Sequence, residues 1–123
     1  MNFEEEFLVA IRSKSSFIYL ISDEEERVEY IIRRLMRDPL QRIVYVWDFV
    51  NGFNNSNSGG QSRRNPMDAL AKLETLLPET PCLLILKDYS RFLQETNINR
   101  QLRNLLPTLR RQPKNLVVLN PAN

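Results

Sequence analysis

The chain has 123 residues, 42% hydrophobic and 26% charged, enough for one globular domain with a single core. Cys82 is the only cysteine, which excludes an internal disulfide and makes a reducing compartment the natural setting; histidine is absent, which removes the commonest general base and transition-metal ligand. The net charge of +2 is uneven: residues 1–30 carry eight acids against three bases, and residues 31–123 fourteen bases against seven acids, the pattern of an interaction surface or of two solvated faces.

The first residues, Met1-Asn2-Phe3-Glu4-Glu5-Glu6, are acidic where a secretory leader is basic. Apolar runs reach only about a quarter of a bilayer span, so no membrane-spanning helix is expected. Residues 2–13 have the spacing of a short amphipathic helix with Phe3, Phe7, Leu8 and Ile11 on one side. Phe17-Ile18-Tyr19-Leu20-Ile21 reads as a first buried strand, and Val28, Ile31, Ile32, Leu35 and Met36 as the inner face of a helix over 23–37. Ser22 with Glu25 has the capping-box spacing, and Asp38-Pro39 closes the helix. Ile43 to Trp47 forms a second strand ending on Asp48. Residues 49–65 hold all three glycines and read as a mobile loop, longer than most connections. Asn65-Pro66-Met67-Asp68 starts a helix whose inner face is Met67, Leu70, Ala71, Leu73 and Leu77, stopped by Pro78.

The apolar run Cys82-Leu83-Leu84-Ile85-Leu86, opened by Pro81 and closed by Lys87-Asp88, reads as a strand buried on both faces, with Leu84 and Ile85 on opposite sides. Ser90 to Leu93 forms a turn. Thr96-Asn97 caps a last helix with Ile98, Leu102, Leu105, Leu106 and Leu109 inside, kinked or split at Pro107. Leu116 to Leu119 is the fourth strand. Strands alternating with helices imply a three-layer α/β fold around a parallel sheet of about four strands, in the order first, fourth, third, second.

A phosphate-binding loop would need glycines and a lysine between the first strand and its helix. This chain has Ser22-Asp23-Glu24-Glu25-Glu26 there, which opposes an anion by geometry and by charge. Consecutive helical carboxylates diverge around the axis, so capping is preferred to cation binding. Lys87 stands where such a fold would hold magnesium with an acid, and Asp88 where it would place a catalytic acid; no metal is expected. Asp88 is expected to pair with a base or cap the next turn. Arg100, Arg103, Arg110, Arg111 and Lys114 form a basic run without an acid from 96 to 123, joined by Arg63 and Arg64 of the loop. Without interleaved aromatics, a solvated face or a docking face for an acidic partner is preferred to nucleic acid.

Taken in order, Phe3-Glu4-Glu5-Glu6, Ser22 to Val28, Val46-Trp47-Asp48-Phe49-Val50-Asn51-Gly52-Phe53, Arg64-Asn65-Pro66, Leu84 to Asp88 and Arg100 to Leu105 resemble one family's N-terminal region. That family is the uncharacterised group of AAA ATPases found in cyanobacteria and, as a hypothetical chloroplast reading frame, in some algal plastids. The resemblance implies a degenerate P-loop-type AAA domain at 1–123; the chain departs from the family in length, so that no fifth strand, no lid and no second ATPase domain are expected in it. ATP and magnesium would then belong to a separate domain, and Asn120 would stand at a vestigial sensor position. The implied role is a non-catalytic recognition or regulatory module that binds a protein or a companion AAA domain, in a cyanobacterial cytoplasm or plastid stroma. An oligomer is compatible with it, and so are the alternatives of nucleic-acid binding through the basic C-terminal face and of a vestigial nucleotide site. Within the loop, Phe49 is expected inside and Phe53 exposed as the partner anchor, beside Arg63 and Arg64.

Overall fold

The computed structural model describes residues 2–38, 40–53 and 60–122. A first helix, α1 (Phe3–Arg12), is capped by the Asn2 side chain, which accepts the Glu5 N–H at 2.9 Å. It leads to β1 (Phe17–Ile21), α2 (Glu25–Arg37) and β2 (Ile43–Asp48). A two-residue strand, β3 (Gly52–Phe53), folds back onto β2, and a short helix, α3 (Pro66–Leu70), continues as a 3-10 turn over Ala71–Thr75. Then come β4 (Cys82–Lys87), a 3-10 turn at Ser90–Phe92, α4 (Thr96–Leu109) and β5 (Lys114–Asn120).

The sheet order is β1-β5-β4-β2-β3. Its parallel strands stand in the order read from the sequence, and β3 adds an antiparallel edge through Trp47 opposite Phe53 and Asp48 opposite Gly52. Strand β4 is the middle of the barrier between two cores, with Cys82 to Leu86 completely buried. Side chains alternate across a strand, so Leu84 and Leu86 join Trp47, Leu105 and Leu116 on the α3–α4 side. Leu83 and Ile85 join Phe7, Ile32, Met36 and Val117 on the α1–α2 side. Each such side chain stabilises the fold by roughly 1.5–3 kcal/mol relative to exposure.

Several elements depart from the sequence reading. Helix α2 begins at Glu25, because the Ser22 hydroxyl accepts the Glu24 N–H at 3.0 Å and forms a local turn instead of a capping box. The helix expected to run to Leu77 tightens into the 3-10 turn after Leu70, leaving Met67 and Leu77 exposed. The Lys114 ammonium explains this end: it donates to the Leu73 and Leu76 carbonyls at 2.9 and 3.1 Å, orphan acceptors of the last turn. Lys114 is therefore buried within β5 and takes no part in a basic surface.

Pro107 does not split α4 into two elements; the helix runs from Thr96 to Leu109. The N–H that Pro107 lacks would have met the Arg103 carbonyl. Both residues are exposed, so water can satisfy that oxygen. The N-cap position is Glu95, and no side chain caps the helix there.

Candidate functional site at the carboxyl edge of the sheet

Open parallel sheets receive ligands beyond the carboxyl ends of their strands, and here β1, β4 and β5 end side by side. The turn after β1 is tied to β5: the Ser22 N–H donates to the Asn120 carbonyl at 2.8 Å, and Asp23 Oδ1 accepts the Ala122 N–H at 3.0 Å. Glu24 pairs with Arg27 at 3.2 Å in an exposed bridge. The Ser22 and Glu24 N–H groups, which an anion would need, already have intramolecular acceptors.

Lys87, at the end of β4, turns toward α2. Its Nζ lies 2.6 Å from Glu29 Oε1 and 3.4 Å from Glu25 Oε2, while Arg33 Nε donates to Glu29 Oε2 at 2.9 Å. Burial alone would lower the ammonium's pKa, but the hydrogen bond and charge of Glu29, with Glu25 behind it, hold it above the ordinary value. Burial likewise pushes Glu29 upward, and the Lys87 and Arg33 hydrogen bonds reverse that, leaving its carboxyl below the usual range. The result is a tethered, internally neutralised cluster.

Asp88 behaves differently from the expectation. Its backbone is left-handed, with φ +55°, its N–H donates to Leu119 O at 2.9 Å, and its side chain is exposed. Among the described residues no base pairs with it. The following turn is held instead by Asn120, whose Oδ1 accepts the Ser90 N–H at 3.2 Å. That donor fixes which amide atom is oxygen, and the buried Asn120 Nδ2 has no partner among the described residues. Tyr19, Ile21, Asp88, Arg91 and Asn120 line a shallow cleft of about 510 Å³ at this edge.

The loop after β2 holds the clearest correction. Phe53 is 1% exposed and belongs to the α3–α4 core, so it cannot be an exposed anchor in this fold. It is drawn inward because β3 pairs with β2 and Phe53 bridges to Gln61, while Trp47 Nε1 donates to Ser62 O at 2.9 Å. Gly52 makes the fold-back possible: its φ is +69°, and a Cβ there would collide with the Gln61 carbonyl. Phe49, expected inside, is half-buried against Phe92, with the Arg91 guanidinium 5.0 Å and 4.5 Å from the two ring centres. Arg63 and Arg64 are exposed; the loop tip at 54–59 lies outside the described residues.

The expected basic run is divided. Arg100 and Arg103 line a depression of about 270 Å³ near the start of α4, with Gln94, Thr96 and Asn99. Arg110 and Arg111 lie at the other end of α4, in a groove of about 280 Å³ that also takes in Lys14 and Arg42. Arg42, missed by the sequence reading, is held there by the Asn115 Oδ1 acceptor. Nothing in its sequence neighbourhood signals that role, because Arg42 and Asn115 meet only through the sheet.

The family model for the N-terminal domain of SpoVK-like AAA ATPases matches residues 3–123. The chain belongs to that family. It is 42% identical over 120 residues to the uncharacterised AAA domain-containing protein ycf46 of Trieres chinensis, a match covering 97% of this chain and 24% of the relative. The ycf46 protein of Guillardia theta is 40% identical over 97% of the chain and 24% of its own length, and that of Pyropia yezoensis 36% over 98% and 25%. The chain thus spans about a quarter of the length of these relatives. No solved structure matches it. Family membership and a mostly parallel α/β sheet agree with the resemblance read from the Trp-Asp-Phe and Leu-Lys-Asp segments.

Proposed function

We propose that this domain is a non-catalytic recognition module, which engages a protein partner such as a companion AAA domain and itself holds neither nucleotide nor magnesium. The observation that carries the reading is Lys87, whose ammonium is committed to Glu29 and Glu25 where a phosphate-handling fold needs a free cation or a metal ligand. The turn over Ser22 to Glu24 adds to it, since the Ser22 and Glu24 N–H groups are occupied and the turn carries the Asp23 and Glu24 carboxylates. Among the described residues no three aspartate, glutamate or cysteine side chains converge as metal ligands. ATP and magnesium fit this arrangement poorly, so no chemical step is assigned to the chain. A cytoplasmic or stromal setting accords with the resemblance; among the described residues no helix is long and apolar enough to cross a membrane.

Calorimetry with ATP and magnesium tests the first half of the reading. The expected result is no binding tighter than about 1 mM, equivalent to about −4 kcal/mol. A micromolar heat signal would overturn it. Capture of the ATPase part of a longer relative by the immobilised domain tests the second half, with Arg63→Glu/Arg64→Glu as the variant expected to weaken capture.

One observation favours a second reading. The Lys14, Arg42, Arg110 and Arg111 groove has no acidic residue in its lining, which suits a polyanion such as nucleic acid. Steeply salt-dependent binding to a short duplex would support it.

A further inference from the structure

Three internal turns meet at the amino edge of the sheet: the one after α1, the one between α2 and β2, and the one between α4 and β5. They wall the groove of about 280 Å³, and no residue before Ile11 or after Asn115 lines it. Arg42 is its fixed point. The Asn115 Nδ2 donates to the Ser15 carbonyl at 2.9 Å, which turns Asn115 Oδ1 to accept from the Arg42 guanidinium. One guanidinium N–H is thereby used, and the rest have no protein acceptor among the described residues. The side chain is half-buried, and burial holds its pKa below the ordinary value with no carboxylate opposing the shift. Arg27, Arg33, Arg34 and Arg37 each meet a carboxylate; Arg42 meets none among the described residues. A partly desolvated charge ordinarily has a counter-charge, and Arg42 has a positioning amide instead.

We propose that this groove is a binding site for one phosphate-monoester dianion, gripped by the Arg42 guanidinium and balanced by Lys14, Arg110 and Arg111. The inference goes beyond the polyanion reading of the same groove: it specifies a single anion and does not depend on nucleic acid. Charge sets the choice of ligand. Lys114, beneath the groove, is spent on the Leu73 and Leu76 carbonyls. Helices α1, α2 and α4 all end at this edge, each contributing about half a negative charge, too little to offset the other four cations. The excess is about two to three positive charges. A carboxylate or a phosphodiester carries a single charge, whereas a phosphate monoester carries about 1.5–2 at neutral pH. Its acceptor oxygens also match the fork of a guanidinium. Size agrees, since the groove falls below the roughly 300–1,000 Å³ of sites that enclose drug-sized ligands. A duplex spreads its charge along its length, and the nearest further arginines on α4, Arg100 and Arg103, line a separate depression.

Titration of the intact chain with inorganic phosphate at constant ionic strength, followed by calorimetry and by the Arg42 Nε–H resonance, tests the site. The expected result is one saturable site with a Kd of about 5 mM and a shift of that resonance, while acetate produces neither. Arg42→Lys keeps the charge and loses the fork, and should weaken binding about tenfold. Arg110→Gln/Arg111→Gln should weaken it about fivefold. Arg100→Gln/Arg103→Gln removes the same charge elsewhere on α4 and should leave binding unchanged. Melting curves exclude loss of folding, and Arg110 and Arg111 are exposed, so their variant decides the matter if Arg42→Lys folds poorly. Glycerol phosphate and a phosphoserine peptide separate the two sources of the group. A peptide bound no more tightly assigns the site to a free phosphate ester. Tighter peptide binding, lost on dephosphorylation, assigns it to a phosphorylated partner protein. No saturable phosphate binding below about 50 mM overturns the proposal. So does phosphate binding that either groove variant retains at parent strength. Salt-dependent capture of a duplex without phosphate binding also overturns it, and leaves the polyanion reading standing.

Discussion

At the scale of single residues, the Lys87–Glu29 pair turns the most telling departure from a nucleotide-binding pattern into a structural element. Because Glu29 has a depressed pKa in the fold, its contribution to stability is complete above the unfolded value near 4.5 and is lost as pH falls through the lower folded value. Lys87 has the opposite sign. Its raised pKa gives stability that is complete below about 10.5 and lost as pH rises through the folded value. Glu29→Gln should therefore flatten the acid limb of a plot of unfolding free energy against pH and leave Lys87 with Glu25 alone. Lys87→Ala should cost about 1–3 kcal/mol at neutral pH, measured by urea unfolding, with Glu29 still held by Arg33. A parent whose stability is flat from pH 7 to pH 3 would contradict this account. Phe53→Ala belongs to the same scale: in a closed core it should cost about 3–5 kcal/mol, which makes it unusable as a clean probe of partner binding.

At the scale of elements, β4 and the β2–β3 fold-back make opposite demands on the sequence. Leu84→Ala and Ile85→Ala should each cost about 2–5 kcal/mol, since each empties one of the two cores. Gly52→Ala should cost more than a surface change of the same size, because φ +69° is strained for alanine and the Gln61 carbonyl must move. Thermal melting of all three variants checks the ranking; a Gly52→Ala protein melting with the parent would mean the fold-back opens freely. The parallel strands and α1, α2 and α4 were legible because their apolar periods are local: Ile32, Leu35 and Met36 line one helix face whatever lies beneath it. The β3 fold-back was not legible, since two residues carry no period and their partner is the end of β2. The burial of Lys114 was hidden for a similar reason. A lysine between Pro113 and Asn115 looks solvated until the carbonyls of a distant turn arrive to accept from it. Of the carboxyl edge, the acidic turn and the Lys87-Asp88 pair could be read from residue type and position. That Glu29 neutralises Lys87, and that Asn120 rather than Asp88 holds the next turn, depends on contacts between segments far apart in the chain.

At the scale of the whole molecule, folding sorts the uneven charge by position along the sheet. The acids at 23–26 collect at the carboxyl edge beside β1, whereas Lys14, Arg42, Arg110 and Arg111 gather at the amino edge. Helix α4 runs back from one edge to the other and is about 21 Å long, so its two arginine pairs sit in unlike fields. Arg110 and Arg111 share their groove with Lys14, Arg42 and the buried Lys114, while Arg100 and Arg103 stand beside neutral polar residues. A polyanion that feels this arrangement should concentrate at the amino edge. With a short DNA duplex as probe, Arg110→Glu/Arg111→Glu should reduce the slope of log affinity against log salt by about 2, the loss of two phosphate contacts. Arg100→Glu/Arg103→Glu should change it by less than about 1. Both variants should melt with the parent, since these side chains are exposed and have no structural partner among the described residues. Equal losses in the two variants would mean that the duplex responds only to net charge and that the groove confers no preference. A larger loss from the Arg100 and Arg103 pair would shift the anion-attracting surface to the start of α4, beside the cleft that Asp88 and Asn120 line.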